Sequence, residues 1–178
     1  MILGMFLDKP LTGYEVKKNI ENGVGTFYKA SYGSLYPALK KLTDKGYLVM
    51  FEQPQGSRQK KYYRITEQGK IVFFEWLSTP MNLNDNTDNR LAKVYFFDEL
   101  PIDIRNRQLQ EYEQNSIAYL RKLFALENKY SAMDNKDCFY YKLATLYYGI
   151  RITQDNIRWC RHIREQKPLA ELIDNEIE

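Results

Sequence analysis

The sequence predicts a mainly α protein in two parts. The first is a unit of short helices with one small β-hairpin; the second is an all-α domain of long antiparallel helices. Three observations predict this. Leu35, Leu39 and Leu42 recur at helical spacing within Ser31 to Leu42. Two β-rich runs between Tyr47 and Ile65 flank the turn signal Pro54-Gln55-Gly56-Ser57. From Arg90 onward, apolar residues return every three or four positions.

The elements follow in order. Met1 to Leu7 is an apolar run without a basic flank, too short for a secretion signal. The stretch Leu11 to Ile20 opens a helix, with Thr12 as N-cap and Glu15 three residues on as its capping-box partner. The Ser31 helix comes next, and Gly46 reads as the C′ glycine that closes it. Tyr47 to Gln53 and Lys61 to Ile65 are the expected strands. Glu67 to about Ser78 is a further helix with Ile71, Phe74 and Leu77 on one face, stopped by Pro80. Two helices, a hairpin and a third helix make a winged helix-turn-helix over residues 1–80.

The outward face of the Ser31 helix carries Ser31, Tyr32, Ser34, Tyr36, Lys40 and Lys41. Hydroxyls and ammonium groups suit phosphate oxygens, and side chains at a helix start reach base edges in a major groove. Tyr14 on the preceding helix and Arg58, Lys60 and Lys61 on the wing complete the candidate set. Charge distribution agrees. Net charge is only +3, but residues 1–80 hold 12 Lys+Arg against 7 Asp+Glu, while residues 81–178 hold 14 against 16. The basic excess lies on the half with the expected reading helix.

The runs ILGMFLDKPLTGYEVKK, SYGSLYPALKKLTDKGYL and RQKKYYRITEQG resemble the PadR family of bacterial transcriptional regulators. They cover residues 2 to 69 almost without a gap. The length and two-part layout resemble the longer subfamily, with its helical C-terminal domain. The resemblance implies a cytoplasmic, dimeric regulator of double-stranded DNA, and in some relatives a response to phenolic acids or planar drugs. Two departures stand out. No N-terminal arm precedes the first apolar run, and the wing reads Ser57-Arg58-Gln59-Lys60-Lys61 where many relatives have proline.

Beyond Pro80, residues 81–89 are dense in Asn and Asp and read as a linker. Residues 90–178 form the expected helical domain. Arg90 to Phe97 is a short helix, and Pro101 suits the first turn of the next. A long seam follows through Ile102, Arg105, Leu109, Tyr112, Ser116, Tyr119, Leu123, Leu126 and Tyr130. A second runs through Phe139, Leu143, Leu146, Ile150, Thr153, Ile157 and Cys160. The turn Ser131 to Lys136 joins them into an antiparallel hairpin. Ile117, Leu120, Phe124, Tyr140, Tyr147 and Trp159 lie off the seams, so one hairpin leaves apolar surface over. A second copy is the simplest cover, and a two-fold dimer reads two half-sites of a pseudo-palindromic operator.

Aromatics make up 15% of the chain, and Phe96, Phe97, Tyr140, Tyr147, Tyr148 and Trp159 are candidates to line a site for a flat effector; as core or interface residues they need no ligand. No residue constellation points to catalysis, and no cofactor is implied. The single histidine, His162, sits among Arg158, Arg161 and Arg164 and is expected at the surface. There is no Cys/His cluster with metal spacing and no run approaching the ~20 apolar residues of a membrane span. Cys138 and Cys160, read as one helix, stand roughly 33 Å apart, too far for a disulfide. The leading expectation is a repressor released by a small aromatic effector. The alternatives are a DNA-binding regulator that works with a partner protein and an interaction module that no longer binds DNA.

Overall fold

The computed structural model describes residues 1–23, 32–55, 58–83, 87–132 and 139–173. They fall into two compact units: Met1–Thr79 with Asp85–Pro101, and Pro80–Asn84 with Ile102–Glu178.

The first unit begins with a 3-10 turn, Ile2–Phe6, that buries Leu3 and Phe6. Strand β1 (Leu11–Thr12) leads into helix α1 (Gly13–Asn22). Thr12 caps α1 as expected: its hydroxyl accepts from the Glu15 N–H at 3.2 Å, while the Thr12 N–H donates to Glu15 Oε2 at 2.7 Å. The Thr12 N–H and the Thr12 hydroxyl, both donating to Glu15 Oε2, hold that carboxyl below its ordinary pKa, with lesser help from Lys60 and Lys9. Helix α2 (Tyr32–Asp44) buries Leu35 and Leu39 completely. It ends in a Schellman motif, with Tyr47 N–H bonded to Leu42 O and Gly46 N–H to Thr43 O. Gly46 takes φ +73°, the left-handed conformation that only glycine adopts without strain.

Strands β2 (Leu48–Gln55) and β3 (Arg58–Ile65) form the antiparallel ribbon, and β1 adds to the other edge of β3. Both ribbon strands run further toward the tip than the sequence suggested. The two-residue β1 went unread, because its only pairing is with residues about 50 positions away, Leu11 with Tyr63 and Thr12 with Tyr62.

Helix α3 (Glu67–Ser78) has the expected limits but a different inner face. Gly69, Phe73 and Leu77 are buried, whereas Ile71 is 52% exposed and Phe74 half-buried. The reason is the partner. Phe73 meets Phe96 edge-on at 5.2 Å, just beyond helix α4 (Thr87–Tyr95). α4 is fixed to the end of α3 by Lys93, whose buried ammonium donates to Thr79 O and Thr79 Oγ1, both at 2.6 Å. A cation there also complements the carbonyl end of the α3 dipole. The boundary expected at residues 81–89 therefore differs from the packing, which groups α4, Phe96 and Phe97 with the first unit.

The second unit is built on α5 (Ile102–Ser131) and α6 (Tyr140–Arg164). Glu113 meets Arg161, and Glu127 accepts from Tyr147 at 2.8 Å, so positions fall on one helix as they rise on the other. The pair is antiparallel. Its dry centre holds Leu109, Tyr112, Ser116, Ile150, Thr153, Ile157 and Cys160. Ser116 and Thr153 enter the core because their hydroxyls bond to carbonyls one turn back. The seam is shorter than expected: Ile102, Tyr119 and Leu126 are exposed. Cys138 lies outside the described residues; Cys160 is fully buried.

His162 corrects the sequence reading. It is 8% exposed, and its Nε2 stands 2.9 Å from Pro168 O, which ties the segment after α6 back to the helix. Beside it, Glu113 bridges Arg161 and Arg164, each at 2.7 Å. Replacing Glu113 with Gln leaves two guanidinium groups without their shared anion. Both retain access to water, at 51% and 25% side-chain exposure. The expected loss is therefore about 1–2 kcal/mol in urea unfolding, below the roughly 3–5 of a fully buried pair.

Candidate nucleic-acid interface

On α2, alternation of buried and exposed positions settles which face is free. Leu35 and Leu39 point inward; Ser34, Tyr36, Lys40 and Lys41 point out. Lys40 is engaged by Asp44 at 2.8 Å, an exposed pair that raises the lysine pKa through that hydrogen bond. Lys41 makes no ion pair among the described residues and is the more available of the two. Tyr32 opens the helix, and Ser31 lies outside the described residues.

Tyr14, on α1, is 61% exposed. Between it and α2 lies a contact that the sequence reading missed. A Cβ on Gly13 would come within 2.8 Å of Tyr36 Cε1 and 3.1 Å of its hydroxyl. The Tyr36 ring therefore rests against the backbone at the start of α1, while the residue stays 45% exposed. Ring packing and a presented phenol are both served by one seat. The signal was a glycine at the first helical position, where any other residue would push the ring away.

The wing is stiffened across its strands. Phe51 stacks on its partner Tyr62 at 5.9 Å, and the Arg64 guanidinium lies 5.5 Å from the Phe51 centroid. Strand alternation splits the basic pair that the sequence reading had grouped. Lys60 shares a face with Tyr62 and Arg64. Lys61 shares the opposite face with Tyr63 and Ile65, and it sits across from Glu52. Arg58 starts β3 next to the tip.

This geometry gives unequal expectations. Lys60→Ala removes a cation that faces neutral Gln53 across the ribbon and makes no ion pair among the described residues, its charge acting only on Glu15; in filter binding it should lower DNA affinity several-fold and flatten the salt slope by about one unit. Lys61→Ala should do less, because the carboxylate of Glu52 stands across the ribbon from it. Equal effects would show that strand alternation does not govern the wing contacts.

A reading helix with hydroxyls and lysines outward, beside a basic three-stranded ribbon, defines a winged helix-turn-helix, a DNA-binding class of domain. Comparison with protein families agrees. Residues 2–75 match the Transcriptional regulator PadR-like family, and residues 88–166 match Virulence activator alpha C-term. The Negative transcriptional regulator PadR of Bacillus subtilis (strain 168) is 38% identical over 47 residues, a stretch spanning 26% of this chain and 26% of that protein. Bacillus subtilis PadR in complex with operator DNA is 25% identical, with a TM-score of 0.46, covering 97% of this chain and 96% of that one. The same protein in complex with p-coumaric acid is 24% identical, with a TM-score of 0.42, covering 93% and 95%. Residues 2–75 are a PadR-like domain, which places this part of the chain among transcriptional regulators.

The aromatic residues considered for an effector site are divided between the two units. Phe96 and Phe97 are 6% and 5% exposed within the first unit. Tyr140, Tyr147 and Tyr148 are exposed on the second. Among the described residues no His/Cys/Asp/Glu group suits a metal ion, and no helix is long and apolar enough to cross a membrane.

Proposed function

We propose that this chain is a sequence-specific repressor that binds a pseudo-palindromic operator as a homodimer and is released by a small aromatic effector. The observation that carries the DNA-reading part is the outward face of α2. Ser34, Tyr36 and Lys41 stand exposed on a helix whose opposite side is locked into the core. In this reading α2 lies in the major groove, with Ser31, Tyr32, Ser34 and Tyr36 near base edges and Lys40 and Lys41 on phosphates. Tyr14, Arg58, Lys60 and Lys61 follow the backbone or the minor groove. A DNA target places the protein in the cytoplasm. Residues 1–80 serve as the reader, with α4, Phe96 and Phe97 packed onto the same unit, and the helices from Ile102 onward serve dimerisation and sensing.

Dimerisation is supported by a stripe on α6. Tyr141, Tyr148 and Ile152 recur at helical spacing and are 82%, 67% and 42% exposed. Repression is supported by the Bacillus subtilis relative, a negative transcriptional regulator. The tyrosine-rich α6 surface supports an aromatic effector, which would enter where the helices meet their partner and change the half-site spacing. A gel shift against the protein's own upstream DNA, repeated with phenolic acids, tests the whole reading. Binding that phenolics weaken supports it. Binding indifferent to them removes the effector and favours a regulator that acts with a partner protein; no binding overturns the reading.

A further inference from the structure

Between α5 and α6, in the second unit, lies a cleft of about 350 Å³ that the DNA-reading account does not use. Leu120 and Ile157 give it an apolar floor, and Arg158, Arg161, His162 and Lys167 line its rim. Each rim cation already touches one carboxylate. Arg161 donates Nε and Nη2 to Glu113 Oε1, Arg158 donates Nη2 to Asp155 Oδ1, and Lys167 pairs with Glu165 at 2.7 Å. Arg164 takes the second oxygen of Glu113. The three rim cations thus meet three carboxylates, and Arg164, outside the lining, shares Glu113 with Arg161. Donors are left over. Among the described residues, Arg161 Nη1 and Arg158 Nε and Nη1 make no hydrogen bond. Gln154, also on the rim, has an amide with no such bond. His162 is held by Pro168 O, so its ring forms a fixed wall rather than a swinging one.

We propose that this cleft binds a small amphipathic monoanion, a carboxylate carried on an apolar body. The apolar part lies on Leu120 and Ile157, and the carboxylate meets the unused nitrogens of Arg158 and Arg161, with Lys167 beside them. Guanidinium groups favour a planar carboxylate because two N–H donors match its two oxygens. An apolar floor with a few convergent polar groups is the ordinary make-up of a small-ligand site, and the volume is at the lower end of their range. The proposal concerns binding at this site alone and stands whether or not the winged helix reads an operator.

Calorimetric titration of the full-length protein with octanoate, 1-octanol and octylamine separates head-group charge from apolar tail. Octanoate is expected to bind at least about tenfold more tightly than 1-octanol, and octylamine more weakly than either. The double variant Arg158→Gln/Lys167→Gln, both at exposed positions, should lose about tenfold in octanoate affinity and leave 1-octanol unchanged. Equal binding of all three compounds, no binding of octanoate, or undiminished octanoate binding by the double variant would each overturn the site. An unchanged melting curve for the variant assigns its loss to the cleft rather than to unfolding.

Discussion

Removing residues 137–178 is expected to abolish self-association and tight operator binding together. The deletion takes away α6, half of the helix pair that buries Ile150, Thr153, Ile157 and Cys160. It also takes the stripe of Tyr141, Tyr148 and Ile152, which a single chain leaves in water. Obligate interfaces typically bury about 2,000 Å² or more. At about 25 cal/mol per Å² of apolar area, even part of that surface outweighs the cost of association by several kcal/mol. Two half-sites read by one molecule gain effective concentration, worth about 10²- to 10⁴-fold in affinity. The truncated chain forfeits all of it. Sedimentation at low micromolar concentration should give a dimer for the full chain and a monomer for the truncation. Tyr148→Glu is the gentler form of the same experiment. It places a charge in the stripe without deleting a helix, and should shift the full chain toward monomer while its helical content holds. A full chain that sediments as a clean 21 kDa monomer, yet binds its operator fully, would favour action with a partner protein.

Gly69→Ala is expected to unfold the reader more readily than any surface change. A Cβ at position 69 would fall 2.2 Å from the carbonyl oxygen of Tyr47. That oxygen is not free to retreat. It accepts from the Thr66 N–H at 3.1 Å, while Thr66 Oγ1 donates to Gly46 O at 2.7 Å. The backbone there also closes α2 through the Tyr47 N–H. Two effects compete. Alanine improves helix propensity over glycine by about 1 kcal/mol. Overpacking against fixed backbone costs about 3 kcal/mol, the upper end for such changes. The clash wins, for a net loss of about 2 kcal/mol. Thermal melting should fall by several degrees, and DNA binding should weaken with it, because the displaced segment joins α2 to the wing. A melting temperature that stayed level or rose would show that α3 slides away from Tyr47 at little cost.

Much of this fold was legible because its signals are local. Thr12 with Glu15, Gly46 after a helical run, and Pro80 after Ser78 each mark an end by their own chemistry. The hairpin strands were legible for the same reason, although their tips were not. What escaped depends on distant partners. β1 is two residues long and exists only because β3 returns beside it. α3 carries Ile71, Val72, Phe73, Phe74, Trp76 and Leu77, apolar on nearly every side. Periodicity cannot choose its inner face until Phe96 arrives to take Phe73. His162 was read as exposed because arginines surround it in sequence. Its burial follows from Pro168, brought back by the turn at Gln166. Of the candidate site, the outward face of α2 was legible from spacing alone. The Tyr36 seat on Gly13 and the separation of Lys60 from Lys61 needed the tertiary structure.

The central claim is that α2 and the wing make a charged DNA-reading surface, used twice per dimer. Its most direct test is the salt dependence of binding to a duplex from the protein's own upstream region. Roughly eight phosphates neutralised per dimer predict a slope of log K against log salt near about −7. A slope shallower than about −2 would contradict it, because two wings and two reading helices cannot lie on duplex DNA without releasing more counterions than that.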